Sequence, residues 1–460
     1  MKAIALLTLV SIFAFTSKSS ADDLESRLKA LEDTLKAQQQ TISEQQKTID
    51  ELKAEINRQK EKEKAITEQA PEPQKPSGET VTAAMPAEAQ KPSGLSGLFG
   101  GAVFTNPYIS VILNTFGYAT NVPQDLLQNT GIPGYSDVPT GLNKGFNLDS
   151  VELGIFAPVD PYFNLYSTIP ITENGISVEE AYFITTALPA GLQLKGGKFL
   201  SGFGRLNGQH EHNWSFVDEP LVYRAFTGND RIDEVGIQLT YLPPLPFYLQ
   251  LGLEALQGDN EVLFGANAHI GPHAYTAFAK ASLDVGDYST ILFGPSVITG
   301  DTQTNSVAPD TVFTGTSTLY GFEFTYKWKP SKGEGVIVQS EYLLRHQSGD
   351  LTAVIPQTLN SLVRTQDGLY LQGIYQWERW NFGLRYDALG IFANTYELGG
   401  NQVNFSKPWR ASAEIDFNPS EFARIRLQYN YDRNVWAKQS SNEWFLQFIF
   451  GIGAHAAHTF

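Results

Sequence analysis

The chain has 460 residues, a formal net charge of −16 and no cysteine. The excess of acid argues against nucleic acid and anionic lipid as partners, and without cysteine no disulfide can hold the fold. Aromatic residues make up 12% of the chain and there are 40 glycines. This composition is typical of a body built from short strands.

The first residues have the pattern of a secretory signal peptide. Lys2 supplies a positive start, an apolar run follows from Ala3 to Phe15, and small residues at 19–21 form a cleavage site. The apolar run is shorter than the roughly 20 residues that a membrane-spanning helix needs. We therefore predict that residues 1–21 are removed on export.

Residues 22–66 carry a heptad pattern with charged residues and glutamine between the seam positions. Position d holds leucine or glutamine, and position a holds Leu28, Leu35, Ile42, Ile49 and Ile56. Such a seam predicts an α-helical coiled coil, and it leaves dimer and trimer open.

Residues 67–94 read as an extended linker. The segment contains five prolines, and the sequence QKPSG occurs in it twice, from Gln74 and from Gln90. This composition cannot bury an apolar core and stays extended. We predict that the linker separates the coiled coil from the domain that follows.

The remainder, residues 95–460, reads as strands in which apolar and polar residues alternate. Tyr320, Phe322 and Phe324, for example, are separated by Glu323 and Thr325. Alternation also occurs in soluble sandwiches, so the connections decide between the two classes.

Short and long connections take turns along this region, as they do in transmembrane barrels. The short ones are residues 157–161, 188–191, 243–246, 285–287, 330–335, 377–380 and 418–421. The long ones are residues 119–146, 171–177, 201–234, 257–274, 299–318, 347–367, 390–408 and 433–442. We predict an all-β transmembrane β-barrel of about 16 antiparallel strands, each of roughly 9–12 residues, preceded by the coiled coil.

A barrel of this size encloses water, so the polar face of each strand lines a channel. The predicted pore-lining residues are Arg385, Asp387, Arg410, Glu414, Arg424 and Arg426. Because both signs of charge are present, they predict no selectivity by themselves. The chain has no nucleophile motif, phosphate-binding loop or haem-attachment motif, so we expect neither enzyme activity nor a required cofactor.

The segment 201–234 is the third and longest of the predicted outer loops. Its aromatic residues would be poorly buried on an exposed rim, so we predict that it folds into the barrel and narrows it. The predicted constriction residues are Glu211, Trp214, Asp218, Glu219 and Arg224. Acids outnumber arginines in this segment, which favours cations.

Two histidine pairs fall in the predicted outer loops. Neutral imidazole together with carboxylate suits zinc and similar divalent metals. The predicted metal ligands are His210, His212, His269 and His273. A pair of polar surface residues is the alternative interpretation, and it is the one we apply to His455 and His458.

The segment GKFLSGFGRLNGQHEHNWSFVDEPLVYRAF and the ending GAHAAHTF resemble a family of bacterial outer-membrane proteins labelled zinc-regulated TonB-dependent receptors. The resemblance implies zinc uptake across the outer membrane, with Zn transported or transiently bound and with His210 and His212 as its ligands. A TonB-dependent receptor fills a barrel of about 22 strands with a plug domain. A coiled coil and a linker stand at that place here, so we expect passive diffusion through a porin-like pore.

Together these features predict a porin-like channel in the bacterial outer membrane, with the coiled coil in the periplasm. The expected partners are outer-membrane lipid, two further copies of the chain in a homotrimer by analogy with porins, and the cell wall through the coiled coil. Three alternatives stay open. They are a general or anion-selective (phosphate) porin, a structural tether between outer membrane and cell wall, and the barrel sheath of an electron conduit.

Overall fold

A computed structural model describes the barrel region of the chain, residues 107–265, 271–353, 358–436 and 439–453. Within these ranges no helix is both long enough and apolar enough to cross a membrane. The signal peptide (1–21), the coiled coil (22–66) and the linker (67–94) lie outside the described residues and stay predictions. The same holds for His269, His455 and His458.

The described residues form one antiparallel sheet that closes on itself. Its first nine strands are β1 (Tyr108–Thr120), β2 (Gly145–Asp160), β3 (Phe163–Thr172), β4 (Gly175–Ile176), β5 (Glu180–Thr185), β6 (Leu192–Leu200), β7 (Asp233–Tyr241), β8 (Tyr248–Leu256) and β9 (Ala274–Asp284). The other nine are β10 (Ser289–Thr304), β11 (Thr311–Ser331), β12 (Glu334–Ala353), β13 (Thr358–Trp377), β14 (Trp380–Leu398), β15 (Asn401–Gln402), β16 (Trp409–Ser420), β17 (Ala423–Arg433) and β18 (Ser440–Gly453).

Closure comes from β1, which pairs with β2 on one side and with β18 on the other. The two-residue strands β4 and β15 only extend hairpins, because β3 pairs directly with β5 and β14 with β16. Sixteen strands of the described residues therefore form the ring, and the predicted closed barrel of about sixteen strands is confirmed.

The outer face of the ring is apolar and the inner face is polar. On β11, Tyr320 and Phe322 are about half exposed, whereas Glu323 between them is 2% exposed. The same contrast holds on β14, where Leu384 is 69% exposed and Arg385 is 3% exposed. Large apolar side chains exposed all round a closed barrel are the surface that a hydrocarbon environment requires.

Seven tight turns join the strands at one end of the barrel, and they match the seven predicted short connections. The first lies between β2 and β3 and the last between β16 and β17. The described ends of the chain lie at this same end, because Ser110 of β1 is opposite Gly453 of β18. The longer connections all lie at the opposite end.

Two predicted long loops are wrong in their extent. Residues 299–318 and 347–367 are largely strand, since β11 and β12 have 21 and 20 residues and pair with each other up to Thr311 and Ala353. Threonine and serine in these segments suggested loops, yet threonine also has a high strand propensity. A buried apolar cluster holds this extension together, formed by Val307, Phe313, Leu351, Leu362 and Tyr396.

The helices are short and lie in the long connections. Helix α1 (Gln124–Asn129) belongs to loop 1 (121–144), and helix α2 (Leu221–Phe226) belongs to loop 3 (201–232). Single 3-10 turns occupy Pro189–Gly191, Leu206–Gly208 and Glu211–Asn213. Apolar side chains of loops 1 and 3 join the inward side chains of several strands in one buried cluster.

Candidate functional site in the barrel interior

Loop 3 lies inside the barrel. It bonds to Glu152 on β2 and to Arg426 on β17, and also to Glu341 on β12, which lies far around the ring from both. A segment that touches several sides of a closed ring must cross its interior. All residues of α2 are buried, and Trp214 and Phe216 are 5% and 1% exposed.

Asp218 fixes the middle of loop 3 to one wall. Its carboxylate accepts hydrogen bonds from Arg385 (Nη2–Oδ1, 2.8 Å), from Arg410 and from Asn430 (Nδ2–Oδ2, 3.1 Å). Two residues further on in loop 3, Pro220 begins helix α2, and the Leu221 backbone N–H that follows donates to Asp387 at 3.0 Å. The predicted constriction residue Asp218 therefore joins two predicted pore-lining residues, Arg385 and Arg410.

The arginines of this wall are paired with acids. Arg410 also bonds to Asp432 (Nε–Oδ1, 2.6 Å) and to Glu443 (Nη2–Oε2, 3.1 Å). Arg426 forms two bonds to Asp416, at 2.7 and 3.0 Å. Buried charges require such compensation, because an unpaired ion away from water is costly. The wall is consequently an ion-pair network and not a row of free positive charges.

Of the two remaining predicted lining residues, Arg424 bonds to loop 3 and Glu414 lies beside Arg426 of the wall. Arg424 donates to the backbone carbonyls of His212 and Trp214 at 3.2 and 3.3 Å. Glu414 is 5% exposed and lies 4.0 Å from Arg426.

Glu341 on β12 is a second attachment point. Its carboxylate accepts from the backbone N–H groups of Arg205 (2.7 Å) and Leu206 (2.9 Å) and from the hydroxyls of Tyr223 and Tyr370 (2.7 Å each). Four donors to one carboxylate define the position of loop 3 tightly.

Glu219 and Arg224 lie buried in the middle of loop 3. Burial raises the pKa of Glu219 to about 8, although the positive charges of Arg224 and Arg231 oppose the shift. Burial also lowers the pKa of Arg224 to about 10, and its guanidinium lies 4.2 Å from the ring centre of Trp436.

Three of the acids in the segment 201–234 are compensated by partners. Asp218 is paired as described, and Asp233 bonds to Lys198 at 2.7 Å. Glu234 accepts from three backbone N–H groups of residues 258–260. The excess of acid over arginine in residues 201–234 is thus no measure of free negative charge in the barrel.

His210 and His212 lie together against β2 and β5. Their rings are stacked with centres 5.7 Å apart. His210 Nδ1 is 3.1 Å from Glu179 Oε2, and His210 Nε2 is 3.0 Å from Glu180 Oε2. His212 Nδ1 is 3.1 Å from Glu152 Oε2. These three acids were not among the predicted site residues.

Ion pairing governs the protonation of this group. Burial would lower the pKa of His210, but the hydrogen bonds and charges of Glu179 and Glu180 raise it well above its usual value. Burial would raise the pKa of Glu179, but His210 and Arg231 lower it to about 2. Burial and the neighbouring Asp149 carboxylate raise the pKa of Glu211 well above its usual value.

His273, the described member of the second predicted histidine pair, does not join this group. His273 is 8% exposed and lies at the start of β9, where its ring packs edge-on against Phe264 at 6.4 Å. Among the described residues, the group whose donor atoms could share one metal ion consists of Glu152, Glu179 and His210. The structure therefore gives no support to His273 as a ligand in common with His210.

Comparison with solved structures finds outer-membrane proteins at low sequence identity. OmpT of Vibrio cholerae has a TM-score of 0.48 and 12% identity, with 76% of this chain and 99% of that chain covered. The outer membrane channel DcaP of Acinetobacter baumannii has a TM-score of 0.46 and 13% identity, over 76% and 97% of the two chains. An anion-selective porin from Comamonas acidovorans has a TM-score of 0.46 and 9% identity, over 76% and 100%.

Two sequence comparisons complete these findings. The SlyX family model matches residues 18–80, which include the predicted coiled coil. A protein of Aquifex aeolicus (strain VF5), described as "Uncharacterized protein", is 39% identical in an alignment of 382 residues that covers 77% of this chain and 80% of the relative. The chain therefore belongs to the same family as this Aquifex aeolicus protein.

Proposed function

We propose that the chain forms a porin-like channel in the bacterial outer membrane and passes small hydrophilic solutes by diffusion. The observation that carries the proposal is the closed ring of sixteen strands with an apolar outer face and a polar inner face. Barrels of this strand number enclose an aqueous path. Loop 3, which crosses the interior, sets the width of that path.

Among solutes, we propose a preference for cations, with divalent metals and zinc first. The anion-selective alternative needs arginines that are free to meet an anion. Arg385, Arg410 and Arg426 each bond to at least one acid instead. The group of Glu152, Glu179 and Glu180 around His210 supports the cation preference.

We further propose that the barrel assembles as a homotrimer in outer-membrane lipid. In this arrangement the coiled coil of residues 22–66 lies in the periplasm and joins the three chains, and it is positioned to reach the cell wall. The chain acts as a channel and not as an enzyme in this proposal, and it needs no resident cofactor.

A structural tether is the second candidate. It is favoured by the apolar cluster in which loops 1 and 3 pack together, including Leu127, Ile132, Val222 and Phe226, all at 0% exposure. Apolar packing of two loops inside a barrel narrows the path for solutes. A barrel that conducts nothing would serve as an anchor for the coiled coil.

Single-channel recording in planar bilayers separates these candidates. The purified mature chain is expected to give stepwise currents, and a salt gradient is expected to give a reversal potential of the sign for cations. A reversal potential of the opposite sign would contradict the cation preference and favour the anion-selective porin. A complete lack of current from folded protein would contradict the channel and favour the tether.

A further inference from the structure

A group of acids and histidines lies where β2, β5, loop 2 (173–179) and loop 3 meet. It is separate from the contacts by which Asp218 and Glu341 hold loop 3. It contains Asp149 and Glu152 from β2, Glu179 from loop 2, Glu180 from β5, and His210, Glu211 and His212 from loop 3. The sequence separations are large, with 31 residues between Glu179 and His210 and 60 between Glu152 and His212. Only the folded barrel brings these side chains together.

Three of these side chains offer donor atoms around one point. One ligand atom each from Glu152, Glu179 and His210 lies within 4.8 Å of the other two. His210 Nδ1 is 3.1 Å from Glu179 Oε2 and 3.9 Å from Glu152 Oε2. Ligand atoms about 2 Å from a zinc ion in a tetrahedron are roughly 3.3 Å apart. Small side-chain adjustments would bring the three donors to that spacing.

The surrounding contacts orient the ligands as they do around metal ions. His210 turns its Nε2 towards Glu180 at 3.0 Å, so that Nδ1 faces the other two acids. A carboxylate on the far ring nitrogen is the usual support of a metal-binding histidine. His212 Nδ1 lies 3.1 Å from Glu152 Oε2, beside the same point.

The charge balance favours a further positive ion. Five carboxylates lie in the group. Arg231 bonds to one of them, at Glu179 Oε1 (2.7 Å), whereas Arg424 donates to the backbone carbonyl of His212. The group is also partly open, because the side chains of Glu179 and His210 are each 19% exposed. An ion can therefore reach donors that the protein already holds in place.

We propose that Glu152, Glu179 and His210 bind one divalent metal ion of the zinc class, with His212 as the fourth donor and Glu180 orienting the His210 ring. Nitrogen and carboxylate ligands of this mixture suit zinc better than calcium or magnesium, which prefer oxygen alone. The ion would cross-link loop 3 to β2 and to loop 2. This inference places a metal site inside the proposed channel. An effect of the metal on current rests on the proposed function, whereas metal binding itself does not.

Metal binding is tested on the full mature chain, folded in detergent and purified with a tag that contains no histidine. Zn²⁺ is titrated in competition with a chromophoric chelator. We expect one tight site per chain in the wild type. Glu152→Gln and His210→Ala should each weaken it at least tenfold. Glu180→Gln should weaken it by about 10–100-fold, as the loss of an orienting carboxylate does.

His346→Ala is the matched control, because His346 is exposed on β12 and bonds to Thr365 at 2.9 Å. Its zinc affinity should equal that of the wild type. A wild-type chain without a tight site, or a His210→Ala variant that binds like the wild type, would overturn the proposal. If the protein conducts but binds no zinc, the proposed metal site is wrong and the proposed channel stands. If it binds zinc but does not conduct, the proposed channel is wrong and the metal site stands.

Discussion

Asp218 of loop 3 accepts a hydrogen bond from Arg385 of β14 at 2.8 Å, across a sequence separation of 167 residues. The same carboxylate bonds to Arg410 of β16. One acid of a connecting loop thereby bridges two arginines of the barrel wall. The position of loop 3 and the charge of the wall depend on the same side chain.

Replacement of Asp218 by alanine is expected to release this part of loop 3. The variant loses hydrogen bonds to a charged group, which contribute about 1.5–3 kcal/mol each, whereas Arg410 keeps Asp432 and Arg385 keeps Asp387. We expect a lower free energy of unfolding in denaturant titrations and a larger single-channel conductance. Asp230→Asn is the control, since Asp230 is exposed in the same loop. Equal conductance in the wild type and Asp218→Ala would contradict this prediction.

Glu219 should make the packing of loop 3 sensitive to alkaline pH. Its pKa is raised by burial to about 8, beside Asp218, Arg224, Arg231 and Arg385. An acid whose pKa is raised in the folded state is protonated there at neutral pH. In the unfolded chain the same carboxyl already ionises near pH 4.5. The free energy of unfolding therefore falls as the pH rises from about 4.5 to about 8, and above that this contribution to stability is fully lost.

Hydrogen exchange of loop 3 peptides measures this effect, with wild type and Glu219→Gln compared at each pH. The two proteins should be equally protected at pH 5, and the wild type should be less protected at pH 9. Glu173→Gln, at an exposed position of loop 2, should follow the wild type at both values. Identical protection of wild type and Glu219→Gln at pH 9 would rule out a buried, protonated Glu219.

The apolar cluster of Val307, Phe313, Leu351, Leu362 and Tyr396 should hold the extended strands together at the long-loop end. Leu362→Ala removes a side chain with 0% exposure from this cluster and should cost about 2–5 kcal/mol. Because the cluster lies at the long-loop end, we expect faster proteolysis of the β12–β13 hairpin with unchanged conductance. Leu359→Ala, at 68% exposure on the same strand, should change neither. If both variants resist protease equally, the cluster does not hold the hairpin.

A charge on the outer face should destabilise the barrel in lipid. Leu384 is 69% exposed on β14, between Phe382 and Tyr386 at 40% and 48%. Leu384→Arg should lower the free energy of unfolding from lipid vesicles by about 2–4 kcal/mol, which is the effect of arginine near the middle of a bilayer. Glu397→Arg, near the outer end of the same strand, should have little effect. Equal stability of the two variants would contradict the membrane-facing assignment of β14.

The barrel could be predicted because each strand carries its own signal. The alternation of apolar Tyr320 with polar Glu323 and Thr325, for example, lies within a single strand. Tight turns can be recognised from their glycine and proline. The extension of β10 to β14 could not be predicted in this way. Phe313 and Leu351 are apolar residues among threonine and serine, and their burial depends on partners in other hairpins.

The candidate site was predictable only in part. The spacing of His210 and His212 in a loop was visible in the sequence, and the structure places acids beside both rings. The acids around them could not be found, because Glu152 and Glu179 belong to other elements and the register that brings them together is a property of the closed ring. His273 was grouped with them because it forms a close pair with His269 in another predicted outer loop, and the structure places its ring against Phe264 instead.

The pairing of β1 with β18 has a consequence for assembly. The ring cannot close before the last strand is in place, and loop 3 must enter the interior no later than that. Asp218 bonds to Arg410 and Gln428, which lie 192 and 210 residues later in the sequence. Until β16 and β17 have joined the barrel, the charges of Asp218 and Arg410 are solvated by water. The contacts that hold loop 3 are therefore complete only when the C-terminal strands have joined a loop that was synthesised long before them.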